Sequence, residues 1–176
     1  RVGPAVADWF MEIAKRFDSF DTHLVDLVDF NLPLLDEPNH PSERAYTKQH
    51  TKDWSASVEA ADAFVFVTPE YNYGMNAALK NAIDFLFFEW QYKPLGIVSY
   101  GNTSAGTRAA QMTKQVVTTL KMVPLTESVA IHFIGTHLDE DGRFKGTEAM
   151  EGAAVGMLEE LHKMTVALQP LRATED

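Results

Sequence analysis

The feature that most constrains the fold is the run Ala63-Phe64-Val65-Phe66-Val67, in which apolar residues follow one another with no polar alternation. A strand with one wet face alternates, so an unbroken β-branched and aromatic run marks a strand buried on both faces. Such strands occupy the interior of parallel sheets, where helices cover both sides. The rest of the chain supplies candidate helices. Gly3-Pro4 opens a segment with Val6, Trp9, Phe10, Ile13 and Phe17 at helical spacing that ends near Asp18, and Pro4 suits a first turn. Asp53 is placed to cap a short helix through Ala61. Further helices are predicted over about 76–89, 105–120 and 147–168. Short apolar runs at 23–27, 95–100 and 128–133 read as additional strands, and Asp139-Glu140-Asp141-Gly142 as a turn. Residues 31–52, rich in Pro and charge, carry little signal for either element and read as a long excursion of the kind that borders sites or subunit contacts.

Alternating helices and strands define an α/β chain of repeated βα units. Its length and 45% hydrophobic content suit one compact domain over residues 1–176. The alternation begins with a helix, whereas a complete doubly wound sheet begins with a strand. A first strand of roughly ten residues with its turn is therefore expected upstream of Arg1. In a five-stranded parallel sheet of order 2-1-3-4-5 that strand is central.

The composition removes several chemistries. There is no cysteine, which excludes disulfides, thiolate metal sites, Fe–S clusters and cysteine nucleophiles. A net charge of -10 argues against nucleic acid and anionic membrane as partners, because phosphate recognition needs a basic footprint. The longest strongly apolar stretch, near Phe85 to Phe88, is far too short to span a bilayer, and no signal peptide opens the chain, so a cytoplasmic location is the default expectation. The six histidines show no metal spacing, and no metal is expected.

In open α/β sheets ligands bind outside the carboxyl ends of the strands. Two loops there are distinctive. Thr68-Pro69-Glu70-Tyr71-Asn72-Tyr73-Gly74 follows the apolar run and suits a flat heteroaromatic ligand: the tyrosines offer ring faces, Pro69 stiffens the exit, and Asn72 can donate and accept at an edge. Taken alone, the same residues also fit an ordinary strand-to-helix turn with two surface tyrosines. Ser99-Tyr100-Gly101-Asn102-Thr103-Ser104-Ala105-Gly106 follows the next strand, with glycines that permit close backbone approach and amides that open onto a helix start. That loop fits no dinucleotide fingerprint or P-loop. Its serine is one place away from a hydrolase elbow, so Ser104 is expected to act as a helix N-cap.

The first of these loops, followed by Ala78-Leu79-Lys80-Asn81-Ala82-Ile83-Asp84, resembles the PEYN segment and LKNAID helix of the NADPH-dependent FMN reductase family. Lys93-Pro94 and the segment from Ser99 through Gly106-Thr107-Arg108-Ala109 continue the resemblance in the same order. The resemblance implies a flavodoxin-like fold, bound FMN, NADPH or NADH as electron donor, and quinones, flavins, azo dyes or metal oxyanions as acceptors. It implies cofactor contacts from Pro69, Glu70, Tyr71, Asn72, Tyr73, Ser99, Tyr100, Gly101 and Gly106. Arg1, with Val2 and Gly3, would be the tail of the loop that wraps the FMN phosphate. The flavin carries the reactive chemistry, so no catalytic side chain is named. Two positions depart from the family pattern: Ala105-Gly106 replaces a common Gly-Gly pair, and Met75-Asn76 stands where small residues and Pro are usual. The rival is a flavodoxin-type carrier that passes electrons to a protein partner and has no reductase activity of its own, a role that the acidity would suit.

Leu79, Ile83, Phe85, Leu86, Phe87, Phe88 and Trp90 make the predicted 76–89 helix and its end apolar around most of its circumference. A second surface must cover it. Either the 31–52 excursion lies over it, or it forms a subunit interface, as related reductases dimerise through this helix. The expected assembly is a homodimer or homotetramer.

Overall fold

Residues 1–172 are described by a computed structural model. The helices are α1 (Gly3–Ala14), α2 (Leu27–Phe30), α3 (Gln49–Glu59), α4 (Ala77–Asp84), α5 (Thr107–Thr119) and α6 (Glu148–Arg172), and the strands are β1 (Phe64–Tyr71), β2 (Gly74–Met75), β3 (Pro94–Tyr100) and β4 (Val123–Ile131). They form an α/β fold with one four-stranded sheet of order β2-β1-β3-β4. β1, β3 and β4 run parallel, and β2 turns back antiparallel to the end of β1.

The sheet is covered on both faces, and residue parity assigns the sides. Val98 and Tyr100 of β3 join Val6, Phe10 and Ile13 of α1 and Met157 and Leu161 of α6 in one core. Leu95 and Ile97 point the other way, into a second core with Trp54 and Val58 of α3, Ile83 of α4 and Ala109 and Val117 of α5. Successive strand side chains alternate between faces, so the two cores are the two sides of one sheet. Every residue of β3 is buried, which makes it the interior strand. β1 was expected in that role, yet Phe64 to Val67 are only partly buried. The cause is its outer edge, where β2 reaches only Glu70 and Tyr71.

Several sequence expectations need correction. Residues 23–27 form no strand: Asp26 is extended and its side chain caps the single turn α2 by accepting from the Val28 N–H. In the expected order this strand pairs only with the first strand, and among the described residues it has no ladder partner. The helix expected from Asp53 begins four residues earlier, at Gln49.

The predicted 76–89 helix stops at Asp84. Phe87 leaves helical geometry at φ -135° and ψ -68°, and a short 3-10 turn carries Phe88 to Trp90. The break lets Phe85, Leu86 and Trp90 all enter one core, which a continuous helix would have spread around its surface. Two indoles then take up the carbonyls at the end of α4, with Trp54 Nε1 donating to Ala82 O at 2.8 Å and Trp90 Nε1 to Ile83 O at 3.1 Å. The covering surface is the 31–52 excursion and α3. Asn81 holds the excursion by donating to Pro33 O and accepting from Leu35 N–H, and Phe30 packs on Trp54 with ring centroids 5.0 Å apart. The large exposed patch expected on this segment is therefore mostly absent, with Phe88 at 37% exposure its most open aromatic.

Candidate functional site

The parallel register pairs Pro69 with Tyr100, so the loops after β1 and β3 leave the sheet at the same edge. The first is not an open loop. β1 continues through Tyr71 and pairs with Gly74, leaving Asn72 and Tyr73 as the two-residue tip of a hairpin. Both have positive φ, 49° and 69°, as a type I′ turn requires. Asn tolerates that region well, whereas a tyrosine there carries strain. The tip leaves Tyr71 and Tyr73 exposed, at 63% and 73%. Behind it Asn76 Nδ2 donates to Thr68 Oγ1 at 3.0 Å while its Oδ1 accepts from Leu79 N–H at 2.9 Å, so the residue that departs from the family pattern caps α4 and ties it to β1.

The second loop is a backbone cradle. Gly106 has φ 80°, and a Cβ there would lie 2.6 Å from Tyr100 N and 2.7 Å from Ser99 Cβ, so only glycine fits. Ala105, fully buried, also has positive φ, 55°, where the family pattern has glycine. Ser99 Oγ donates to Ala105 O at 2.9 Å, which commits its hydroxyl to the loop's own shape. The Gly101 N–H donates to Ile131 O. The N–H groups of Asn102, Thr103 and Ser104 make no hydrogen bond among the described residues and form a set of available donors.

Glu70 joins the two loops. Its side chain is only 7% exposed and accepts from the Arg108 N–H at 3.1 Å and from Arg108 Nη1 at 2.9 Å. The carboxylate thus caps the first turn of α5 from a different strand, and the Ser104 side-chain cap expected from sequence is not what satisfies this helix start. Burial raises the Glu70 pKa, but the hydrogen bonds from Ser104 and Arg108 outweigh it and hold the carboxyl below its ordinary value. The Arg108 guanidinium also lies 4.1 Å from the centroid of the Tyr73 ring. Sequence reasoning named Glu70 as a site residue and quoted Arg108 only within the family segment, because a contact between residues 38 apart leaves no spacing signal.

A third loop meets the cradle after β4. Phe133 N–H donates to Asn102 O, Ile134 N–H to Gly101 O, and His132 Nδ1 lies 3.1 Å from Thr103 O. Phe133 itself is 52% exposed at φ 43°, a strained position for an aromatic residue. No sequence signal marked it.

On the opposite face of β1, parity brings Tyr71 toward Tyr100 and the start of α1. A Cβ on Gly3 would lie 3.1 Å from the Tyr100 hydroxyl. Burial, with the neighbouring Tyr71, pushes the Tyr100 pKa up to about 12 against the opposing pull of Arg1. α1 has no side-chain cap, and Pro4 lies in its first turn. Arg1 Nη2 donates to both Asp26 oxygens, at 2.8 and 3.0 Å, leaving other guanidinium N–H groups available. Among the described residues no group of three or more His, Asp and Glu is placed to hold a metal, and no helix is long and apolar enough to cross a membrane.

The profile of one protein family, NADPH-dependent FMN reductase, matches residues 1–136. The chain belongs to that family. The name of that family, and the names of relatives within it, pair FMN with NAD(P)H. An NAD(P)H-dependent FMN reductase of Schizosaccharomyces pombe is 48% identical over 124 residues, covering 69% of this chain and 62% of that protein. One of Saccharomyces cerevisiae is 42% identical over 105 residues, covering 56% of this chain and 54% of that one. The chain therefore spans less than two thirds of the length of these two relatives. The flavoenzyme NAD(P)H:(acceptor) oxidoreductase FerB of Paracoccus denitrificans superposes with a TM-score of 0.74 over 95% of this chain and 91% of its own at 17% identity, a likeness of flavodoxin-like fold.

Proposed function

We propose that the chain is one FMN-binding domain of a cytoplasmic reductase, which takes hydride from NADPH or NADH through bound FMN and passes it to a quinone, flavin, azo or metal-oxyanion acceptor. The observation that carries this reading is the shared sheet edge. There a glycine cradle closed to any Cβ, three available N–H donors, two exposed tyrosines and an uncapped helix start converge. These fit the parts of FMN separately. Asn102, Thr103 and Ser104 N–H groups suit the acceptor edge of a flavin, the Tyr71 and Tyr73 rings suit its faces, and the α1 start with Arg1 suits a phosphate dianion.

Bound FMN supplies hydride acceptance and donation. The chain's residues bind, orient and polarise. The N–H groups of Asn102, Thr103 and Ser104 would hold the flavin's acceptor edge and favour negative charge there, and being fixed by the backbone they would need little reorganisation. Glu70 is held ionised and tied to Arg108, and Tyr100 keeps its proton at neutral pH, so neither is poised to exchange protons during turnover. The reductase names of the relatives disfavour the electron-carrier reading. The net charge of -10 supports the absence of nucleic-acid partners.

The proposed homodimer or homotetramer has narrower support than the sequence suggested. A groove of about 480 Å³ remains beside α4 and α5, its lining including Ile83, Leu86, Phe87 and Val116 together with the charged Lys80 and Asp84. Among the described residues the outer edge of β1 over 64–68 has no ladder partner, which supports the five-stranded order 2-1-3-4-5.

Asn72 provides the test. A buried hydrogen bond to a ligand is worth about 0.5 to 1.5 kcal/mol, so Asn72→Ala should weaken FMN binding about tenfold. Asn72→Gly, which keeps the turn's backbone freedom, separates loss of the amide from strain at the tip. Activity should return in large part at saturating FMN. A loss of roughly hundredfold or more at saturation would instead assign Asn72 to proton transfer and contradict the reading.

A further inference from the structure

We infer that Arg108 is a positioning residue for the cofactor loop, acting through Glu70 and Tyr73. The inference rests on the flavin-site reading above. It starts from a mismatch between the rigidity the hairpin tip needs and what its own contacts supply. Tyr73 sits at φ 69°, in a region L side chains avoid, and is 73% exposed, so packing does little to hold it. What meets it is the Arg108 guanidinium, at 4.1 Å from the ring centroid. A planar cation stacked on a ring favours one tyrosine orientation over the freely rotating alternatives.

The same guanidinium donates to Glu70 Oε1 at 2.9 Å while the Arg108 backbone N–H donates to Oε2 at 3.1 Å, so one residue grips both oxygens of the carboxylate. Glu70 pairs with Met75 across the hairpin, one pair below the Tyr71–Gly74 pair that carries the tip. Arg108 is itself in the first turn of α5, next to Gly106, whose position is fixed by the cradle. The chain of contacts therefore runs from the cradle, through Arg108, to the strand end and the tip. It sets the distance between the available N–H groups on one side and the tyrosine faces on the other. Lysine would keep the backbone N–H to Glu70 and could supply one charged donor to it, but not the planar cation over the Tyr73 ring.

The test is FMN affinity of the full-length protein, measured by quenching of flavin fluorescence, for Arg108→Ala, Arg108→Lys, Glu70→Gln and the Arg108→Ala/Glu70→Gln double variant. Visible circular dichroism of the bound flavin and the melting temperature of each flavin-free protein accompany it. Arg108→Ala should weaken binding about tenfold and Arg108→Lys less, with an altered dichroic spectrum at full occupancy. The double variant should be no weaker than the worse single variant, because residues that act as one unit are not additive. Additive losses would overturn the inference, since Arg108 and Glu70 would then not act as one unit. Unchanged affinity in Arg108→Ala would also overturn it, as would a lowered melting temperature with unaltered affinity and dichroism. Should Arg108→Ala not fold, Arg108→Lys paired with Glu70→Gln gives the same cycle. A wild-type protein that takes up no FMN would instead remove the flavin-site reading, and the inference with it.

Discussion

Glu89 accepts a hydrogen bond from the Tyr46 hydroxyl at 2.8 Å, between residues 43 apart in the chain. The carboxylate is fully enclosed, and it also accepts from Ser55 Oγ at 2.7 Å and Phe87 N–H at 3.2 Å, with Arg44 Nε 3.8 Å away. This one side chain fastens the long excursion, α3 and the broken end of the α4 segment together. Burial and the Glu89 carboxylate push the Tyr46 pKa well up, so the hydroxyl remains a donor. A hydrogen bond to a charged group is worth about 1.5 to 3 kcal/mol, and Tyr46→Phe should lower the unfolding free energy by about that much. Glu89→Ala should be worse, because it strands the Tyr46 and Ser55 hydroxyls. Denaturant unfolding reads both, and a Tyr46→Phe change within about 0.5 kcal/mol of zero, as for a neutral surface substitution, would contradict this role for the pair.

Glycines at two places should respond with opposite signs. Gly106→Ala meets Tyr100 N at 2.6 Å with φ at 80°, so it should destabilise by at least about 2 kcal/mol and impair flavin uptake. Gly152 and Gly156 lie inside α6, with open space where a Cβ would stand. Alanine at either should stabilise by about 0.5 to 1 kcal/mol. Thermal melts of the three variants decide it, and a neutral Gly106→Ala would remove the close-approach argument.

The excursion also carries a pH dependence. Glu37 accepts from Thr47 N–H, Thr47 Oγ1 and Lys48 N–H at 2.8 to 2.9 Å. Burial raises its pKa, but these hydrogen bonds outweigh it and bring it from 4.5 down to about 2. A carboxyl depressed on folding contributes stability that is fully present above its unfolded value and is lost as pH falls through the folded one. Stability should therefore drop between pH 4.5 and about 2. Glu37→Gln should be less stable at neutral pH and flatter across that window, and an equal slope in both proteins would contradict the assignment.

The sequence revealed what periodicity and local composition encode. β3, α5 and α6 fall within a few residues of their expected bounds, and the two loops meet at one edge because parallel strands oblige them to. It did not reveal what depends on contacts distant in the chain. Nothing near Asp84 announces that α4 ends there, since the break exists to bring Phe85, Leu86 and Trp90 under α3. The Asn72-Tyr73 turn lacked the Asn-Gly pair that marks type I′ hairpins, because a tyrosine occupies the second position. Arg108 stood in the family segment without a role and Phe133 carried no local signal, and the role of each is identified by what it touches across the sheet edge.

The most direct measurement is the visible spectrum of the FMN-loaded, full-length protein under anaerobic titration with NADPH. The flavin absorption should bleach in one two-electron step without a one-electron-reduced species accumulating, and should return when a quinone is added. A flavin that NADPH leaves oxidised, or a persistent one-electron-reduced form, would contradict the reductase reading.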